Sequence, residues 1–232
     1  MIGPLPVAAP AIDRIAWAED ALAVGRMAEA RLDARAVFRN PDDPAEVRLD
    51  ATVVAPDGTA IELPGFHDDA GWRLRWTPRA PGEHRIGFPL TDAGGVAEAE
   101  RRVLAAPGTG PGFVGISSRD RRYFAFREGD RSFFPIGTNL GWGGTADERD
   151  GWIAKLAANG GNWIRVWLAP GWTTFGIEEA GPAEEGKGLG RYRRAKFADL
   201  DRLMRTCREK GVYVQFCIQS YNDFRDRDAF NE

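Results

Sequence analysis

From Arg31 to Leu90 the chain alternates apolar and polar side chains in short runs. In "EVRLDATVVAPDG" (residues 46–58) Val47, Leu49, Ala51 and Val53 share one parity, and Glu46, Arg48 and Asp50 share the other. A two-residue period is that of a strand buried on one side. "RLDARAVFRN" (31–40), "GWRLRWTP" (71–78) and "GEHRIGFPL" (82–90) carry the same period. They are separated by turn formers: "NPDDP" at 40–44, "PDG" at 56–58 and "APGEH" at 80–84. Short strands at this spacing predict an antiparallel β-sandwich. "AEAERRVLAA" (97–106) fits either a last strand or a short helix.

Three glycines and two prolines then fall within "APGTGPGF" (106–113), which marks a domain boundary. Beyond it the period lengthens. "YFAFREGDRSFFPIG" pairs two aromatic-rich runs across a Gly129-Asp130 turn, and the second continues into "TNLGW". Thr145 and Glu148 have capping-box spacing ahead of an apolar stripe of Trp152, Ile153, Leu156 and Ala157, which predicts a helix ended by Gly160 and Gly161. "NWIRVWL" (162–168) is a compact strand. After a polar loop, a helix over about 195–210 aligns Phe197, Leu200, Leu203, Met204 and Cys207, with Gly211 as its stop and "VYVQFCI" (212–218) as another buried strand. Apolar strands alternating with helices predict a parallel sheet of βαβ units. The fold class is therefore multidomain β plus α/β, with the sandwich over 11–106, a linker over 107–120 and the α/β part over 121–232.

Composition narrows the function classes. With 43% hydrophobic residues, 28% charged, eight Trp and thirteen Phe, the chain is globular rather than disordered. A net charge of -3 with interspersed signs argues against nucleic acid or an acidic membrane as partner. No apolar run is long enough to span a bilayer. The two cysteines, Cys207 and Cys217, and the two histidines, His67 and His84, have neither a disulfide framework nor metal-ligand spacing, so no metal and no cofactor are expected. The N-terminus lacks the pattern of a signal peptide, which leaves a cytoplasmic location as the expectation. "GWGGT" and "GKGLG" lack the spacing and the strand–turn–helix setting of a phosphate loop.

"FFPIGTNLGW", "LAANGGNWIRVWL", "GLGRYRRAKFADLDRL" and "REKGVYVQFCIQSYNDF" together resemble the opening of a (β/α)8 TIM barrel of the large retaining clan of glycoside hydrolases, of cellulase and mannanase type. "VVAPDGTAIELPGF" and "GWRLRWTPRAPGEHRIGF" resemble the immunoglobulin-like domain of unknown function that precedes such barrels in bacterial proteins. The resemblance implies barrel strands 1, 2 and 3 at "FFPIGTNLGW", "NWIRVWL" and "VYVQFCI". Side chains at the C-terminal ends of those strands then form the open face. Arg165 takes the place of the arginine that hydrogen-bonds the family's nucleophilic glutamate; a cation there favours the ionised carboxylate and fixes its orientation. An arginine inside so apolar a strand is costly unless paired. Trp142, Trp167 and Trp172 are either sugar-stacking faces or, for Trp167 above all, barrel wall. Asn139 either bonds a sugar hydroxyl or caps a turn. Tyr221, Asn222 and Asp223 follow strand 3, with Tyr221 where relatives often carry a histidine.

The implied substrate is an oligo- or polysaccharide, and the implied reaction is hydrolysis of an O-glycosidic bond by two carboxylates about 5–5.5 Å apart. In the family pattern an Asn-Glu pair carries the acid/base after strand 4. The chain does end on Asn231-Glu232, but "FRDRDAF" before it is too charged to be a buried strand, and a crossover needs a dozen residues or more. The pair therefore falls in the loop after strand 3. Both catalytic carboxylates are expected beyond residue 232, leaving three barrel strands that need a missing barrel half or a complementing chain, and no activity from this chain alone. The alternative is a non-catalytic carbohydrate-binding or protein-interaction module with a degenerate barrel remnant.

Overall fold

A computed structural model describes residues 8–19, 21–110, 112–169, 173–178 and 190–218. The contacts divide the chain into two compact units, Met1–Phe133 and Phe134–Glu232. The described elements are β-rich, with two helices, both in the second unit.

In the first unit, β1 (Ala11–Trp17), β2 (Leu22–Ala23), β3 (Ala28–Arg35), β4 (Val47–Val54), β5 (Ala60–Pro64), β6 (Phe66–Asp68), β7 (Gly71–Trp76), β8 (Gly82–Asp92) and β9 (Gly95–Ala106) form two sheets. One has the order β1-β3-β7-β6 and the other β2-β9-β8-β4-β5. All pairings are antiparallel except the short β2–β9 contact. Ala28, Ala30, Leu32, Trp72 and Leu74 of the first sheet share one core with Leu49, Ala51, Val53, Ile86, Phe88 and Leu90 of the second. Apart from Ala28 and Ala30, which precede the first alternating run, these are the residues of one parity in each run. The 97–106 segment, open between strand and helix by sequence, is a strand paired along its whole length with β8. His84 lies in this core beside Trp76, and its Nδ1 donates to the Gly82 carbonyl at 3.1 Å, so the buried ring is not left unsatisfied.

Three further strands, β10 (Val114–Ile116), β11 (Phe124–Phe126) and β12 (Ser132–Phe133), make a small antiparallel sheet within the same unit. Asp130 turns the chain between β11 and β12 with a positive φ of 49°, and its carboxylate accepts from Ser118 N at 3.1 Å and Ser118 Oγ at 3.0 Å. The aromatic run read as one continuous strand through "TNLGW" is thus broken after Phe133. Its first half belongs to this sheet, and only Gly137–Asn139 enters the next one.

The second unit runs β13 (Gly137–Asn139), α1 (Ala146–Ala158), β14 (Trp163–Trp167), α2 (Arg194–Lys210) and β15 (Tyr213–Cys217). The three strands are parallel in the order β13-β14-β15. Ile164 and Val166 point from β14 into a core with Ile153 of α1 and Leu200, Leu203 and Cys207 of α2, so both helices cover the same face. The capping box at Thr145 and Glu148 is formed, and Gly211 ends α2 in the left-handed region at φ 69°, where a side chain would be strained. Two helix stripes are narrower than their sequences predict. Phe197 and Met204 stay exposed on α2, and on α1 the residues turned inward are Ile153 and Arg149 rather than Trp152. One parallel sheet face covers only about a third of a helix, and the flanks of the stripe fall outside it.

Asn162 holds the start of this sheet. Its Oδ1 accepts from Ile136 N at 2.8 Å and its Nδ2 donates to Phe134 O at 2.9 Å, ahead of β13. Its backbone carbonyl takes the Tyr213 N–H of β15 at 2.8 Å. One residue therefore sets the alignment of all three strands.

Candidate functional site

The parallel register puts residues in rows across the sheet. Asn139 pairs with Arg165 and Arg165 with Gln215; Trp167 pairs with Cys217. Because side chains alternate along β14, Ile164 and Val166 enter the helix-covered core and Trp163, Arg165 and Trp167 take the opposite face. That face carries a polar row of Asn139, Arg165 and Gln215, with Trp167 two residues further along β14.

Arg165 and Trp167 meet: the guanidinium carbon lies 4.3 Å from the Trp167 ring centroid, within cation–π range. The Arg165 Nε is buried and has no hydrogen-bond partner among the described residues. An unpaired buried donor on a charged group is costly. This geometry suits a carboxylate or another strong acceptor arriving on the open face. Trp142, 60% exposed, stands 6.1 Å from Trp167 at an interplanar angle of 50°. Arg165 thus stacks on Trp167, and Trp142 packs at a tilt against Trp167 toward the solvent.

Beside the stack is an open cleft of about 430 Å³ lined by Thr138, Asn139, Leu140, Gly141, Trp142 and Trp152. Trp152 is the residue that sequence reasoning misplaced. It was assigned to the buried stripe of α1, but it is 40% exposed and borders the cleft. Its neighbour is Gly144: a Cβ there would come within 2.5 Å of the indole, and φ is +72°. The glycine pair ahead of Thr145 was the available signal, since it lets the loop pass over an aromatic ring. Gln215 was also missed, for want of a register that only the folded sheet supplies. Of the residues singled out by sequence, Asn139, Trp142, Arg165 and Trp167 come together here. Trp172, Tyr221, Asn222, Asp223, Asn231 and Glu232 lie outside the described residues.

On the helix-covered side of the sheet, two carboxylates of α1 are committed to structure. Arg202 of α2 reaches back to α1, bonding Asp150 at 2.8 Å and pairing with Asp147. Thr206 donates to Asp150 at 2.7 Å. Burial alone would raise the Asp150 pKa, but the hydrogen bonds from Thr206 and Arg202 outweigh it and hold the carboxyl below the usual aspartate value. Among the described residues no three His, Cys, Asp or Glu side chains gather as a metal site, and no helix is long and apolar enough to cross a membrane.

No family model and no curated protein matches the sequence. Solved structures do match by fold, and several of them are named as glycoside hydrolases. A candidate glycoside hydrolase of Bacteroides vulgatus superposes at a TM-score of 0.64 with 18% identity, over 85% of this chain and 41% of that one. The β-glucuronidase of Parabacteroides merdae gives a TM-score of 0.28 with 12% identity over 88% of this chain and 24% of its own, a likeness too low to carry an argument. At such identities the resemblance is one of fold. The chain spans less than half the length of the Bacteroides vulgatus protein.

Proposed function

We propose that the chain is the N-terminal portion of a retaining glycoside hydrolase acting on an oligo- or polysaccharide. An immunoglobulin-like sandwich over 11–106 and a connecting segment that carries the small β10–β12 sheet lead into the first βα units of a (β/α)8 barrel, whose first strand is β13. Four features support the barrel reading: parallel strands in sequential order, both helices on one face, a polar row on the other, and aromatic residues at the strand ends. β13 and β15 each have an outer edge unpaired among the described residues, which further strands, from a missing barrel half or a complementing chain, would cover. The acid/base and nucleophile belong to those further strands.

The observation that carries the reading is the unpartnered Nε of Arg165 on the open face, stacked on Trp167. Its partner in the complete site is the nucleophilic carboxylate. Asn139, Trp142 and Trp167 line the sugar path, with Trp172, Tyr221, Asn222 and Asp223 as further contributors. The test joins this chain to a barrel half carrying strands 4–8 and compares hydrolysis of aryl glycosides before and after Arg165→Ala. A loss of roughly 100-fold or more in kcat is expected, in line with removal of one strong electrostatic contact. Unchanged turnover sinks the assignment. Hydrolysis by the 232-residue chain alone overturns the proposal that the carboxylates lie elsewhere.

A further inference from the structure

Trp142 sits on a loop that has little stiffness of its own. Gly141, Gly143 and Gly144 surround it, and the last two have positive φ angles of 80° and 72°. Consecutive glycines give the backbone many alternatives, so a fixed tryptophan needs restraints from outside the loop.

Those restraints converge on a residue without a part in the stack. Arg149, on the first turns of α1, is only 6% exposed. Its Nη1 donates to the Gly144 carbonyl at 2.6 Å, and its guanidinium carbon lies 5.0 Å from the ring centroid of the fully buried Phe175. Asp199 of α2 faces its Nη2 at 4.0 Å. Phe175 follows Thr174, whose N–H meets the Gly141 carbonyl at 3.4 Å and whose carbonyl accepts from Lys196 Nζ at 2.8 Å. The carbonyls on either side of Trp142 are therefore held, one by Thr174 and one by Arg149, and the two loops at the ends of β13 and β14 are joined. A buried cation is expensive unless its hydrogen bonds and charge are met. An apolar residue would fill this space against Phe175 without that cost, and would leave the Gly144 carbonyl unheld.

We propose that Arg149 is the positioning residue of the aromatic rim: by holding the Gly144 carbonyl and Phe175 together, it keeps Trp142 packed against Trp167. Its value to function rests on the reading of that rim as the sugar-binding surface, but the positioning itself does not.

Two indoles this close give an exciton couplet in circular dichroism. The difference spectrum between the 232-residue chain and its Trp142→Phe variant isolates the couplet of the Trp142–Trp167 pair from that of Trp17 and Trp76, whose rings are 6.4 Å apart. Arg149→Met is expected to lose most of the Trp142 couplet well below its thermal midpoint while the Trp17–Trp76 signal stays. A residue that merely adds stability would lower the midpoint and leave the couplet intact, which would overturn the proposal. Should Arg149→Met not melt cooperatively, Arg149→Gln keeps a polar side chain there but is too short to span from the Gly144 carbonyl to Phe175; a full couplet in that variant is equally fatal. Titration of the parent chain with cellohexaose and mannohexaose separates the two layers: absence of binding defeats the rim as a sugar site, whereas the couplet alone decides the role of Arg149.

Discussion

The guanidinium of Arg165 rests 4.3 Å from the centre of the Trp167 ring, two residues further along the same strand and on the same face. Stacking leaves the cation fixed in direction but with a buried Nε that has no hydrogen-bond partner among the described residues. It orients a charge without neutralising it.

If that stack is a sugar platform, truncating its outer member weakens ligand binding without unfolding the sheet. Trp142→Ala is expected to reduce affinity for a bound oligosaccharide by about 5–30-fold, corresponding to about 1–2 kcal/mol of lost stacking. Isothermal titration measures it, with the thermal midpoint as the control. Because Trp142 is exposed, that midpoint should hardly move.

Asn162 is a structural counterpart at the opposite end of the strands. Asn162→Ala removes the two side-chain bonds to Ile136 N and Phe134 O, and is expected to cost about 1–3 kcal/mol of stability. Asn162→Asp keeps the acceptor and loses the donor, so urea unfolding should place it between the parent and the alanine variant.

The junction of α1 and α2 should weaken in acid. Asp150 has a folded pKa below the ordinary aspartate value because the Thr206 and Arg202 hydrogen bonds overcome its burial. The stability it contributes is complete above its unfolded value, about 3.9, and is lost as the pH falls from there through its folded value. Asp150→Asn should flatten the fall in stability below about pH 4 and leave the slope at neutral pH unchanged; thermal melts across that range check it.

Cys207 lies in the core of the second unit, where burial, with the Asp150 charge as a smaller contribution, pushes its thiol up to about 12. The thiolate is the reactive species, so Cys207 should resist alkylation in the native chain near pH 8 and label fully in denaturant. Mass spectrometry after iodoacetamide treatment distinguishes it from the half-buried Cys217. Rapid native labelling of Cys207 would contradict the packing of α2 on β14.

Sequence alone determined the elements whose signals are local. The two-residue period marked Leu49, Ala51, Val53, Ile86 and Phe88 as core, because an alternating strand can bury only one parity. The capping box and Gly211 fixed helix ends through bonds made within a few residues. The order of parallel strands followed from apolar runs separated by helices. Arg165 stands out in the sequence because a charge inside an apolar strand demands a partner, and in the fold its Nε has no hydrogen-bond partner among the described residues. What the tertiary structure decided was every relationship that depends on register or on the rotation of a helix. Trp152 faces the cleft and Arg149 the interior, the reverse of what hydrophobicity predicts, since Arg149 meets its bonds at Gly144 and its stacking partner at Phe175. Gln215 joins Arg165 only through the pairing of β14 with β15. The aromatic run after Gly129 divides between two sheets, because pairing partners, not composition, determine where a strand ends.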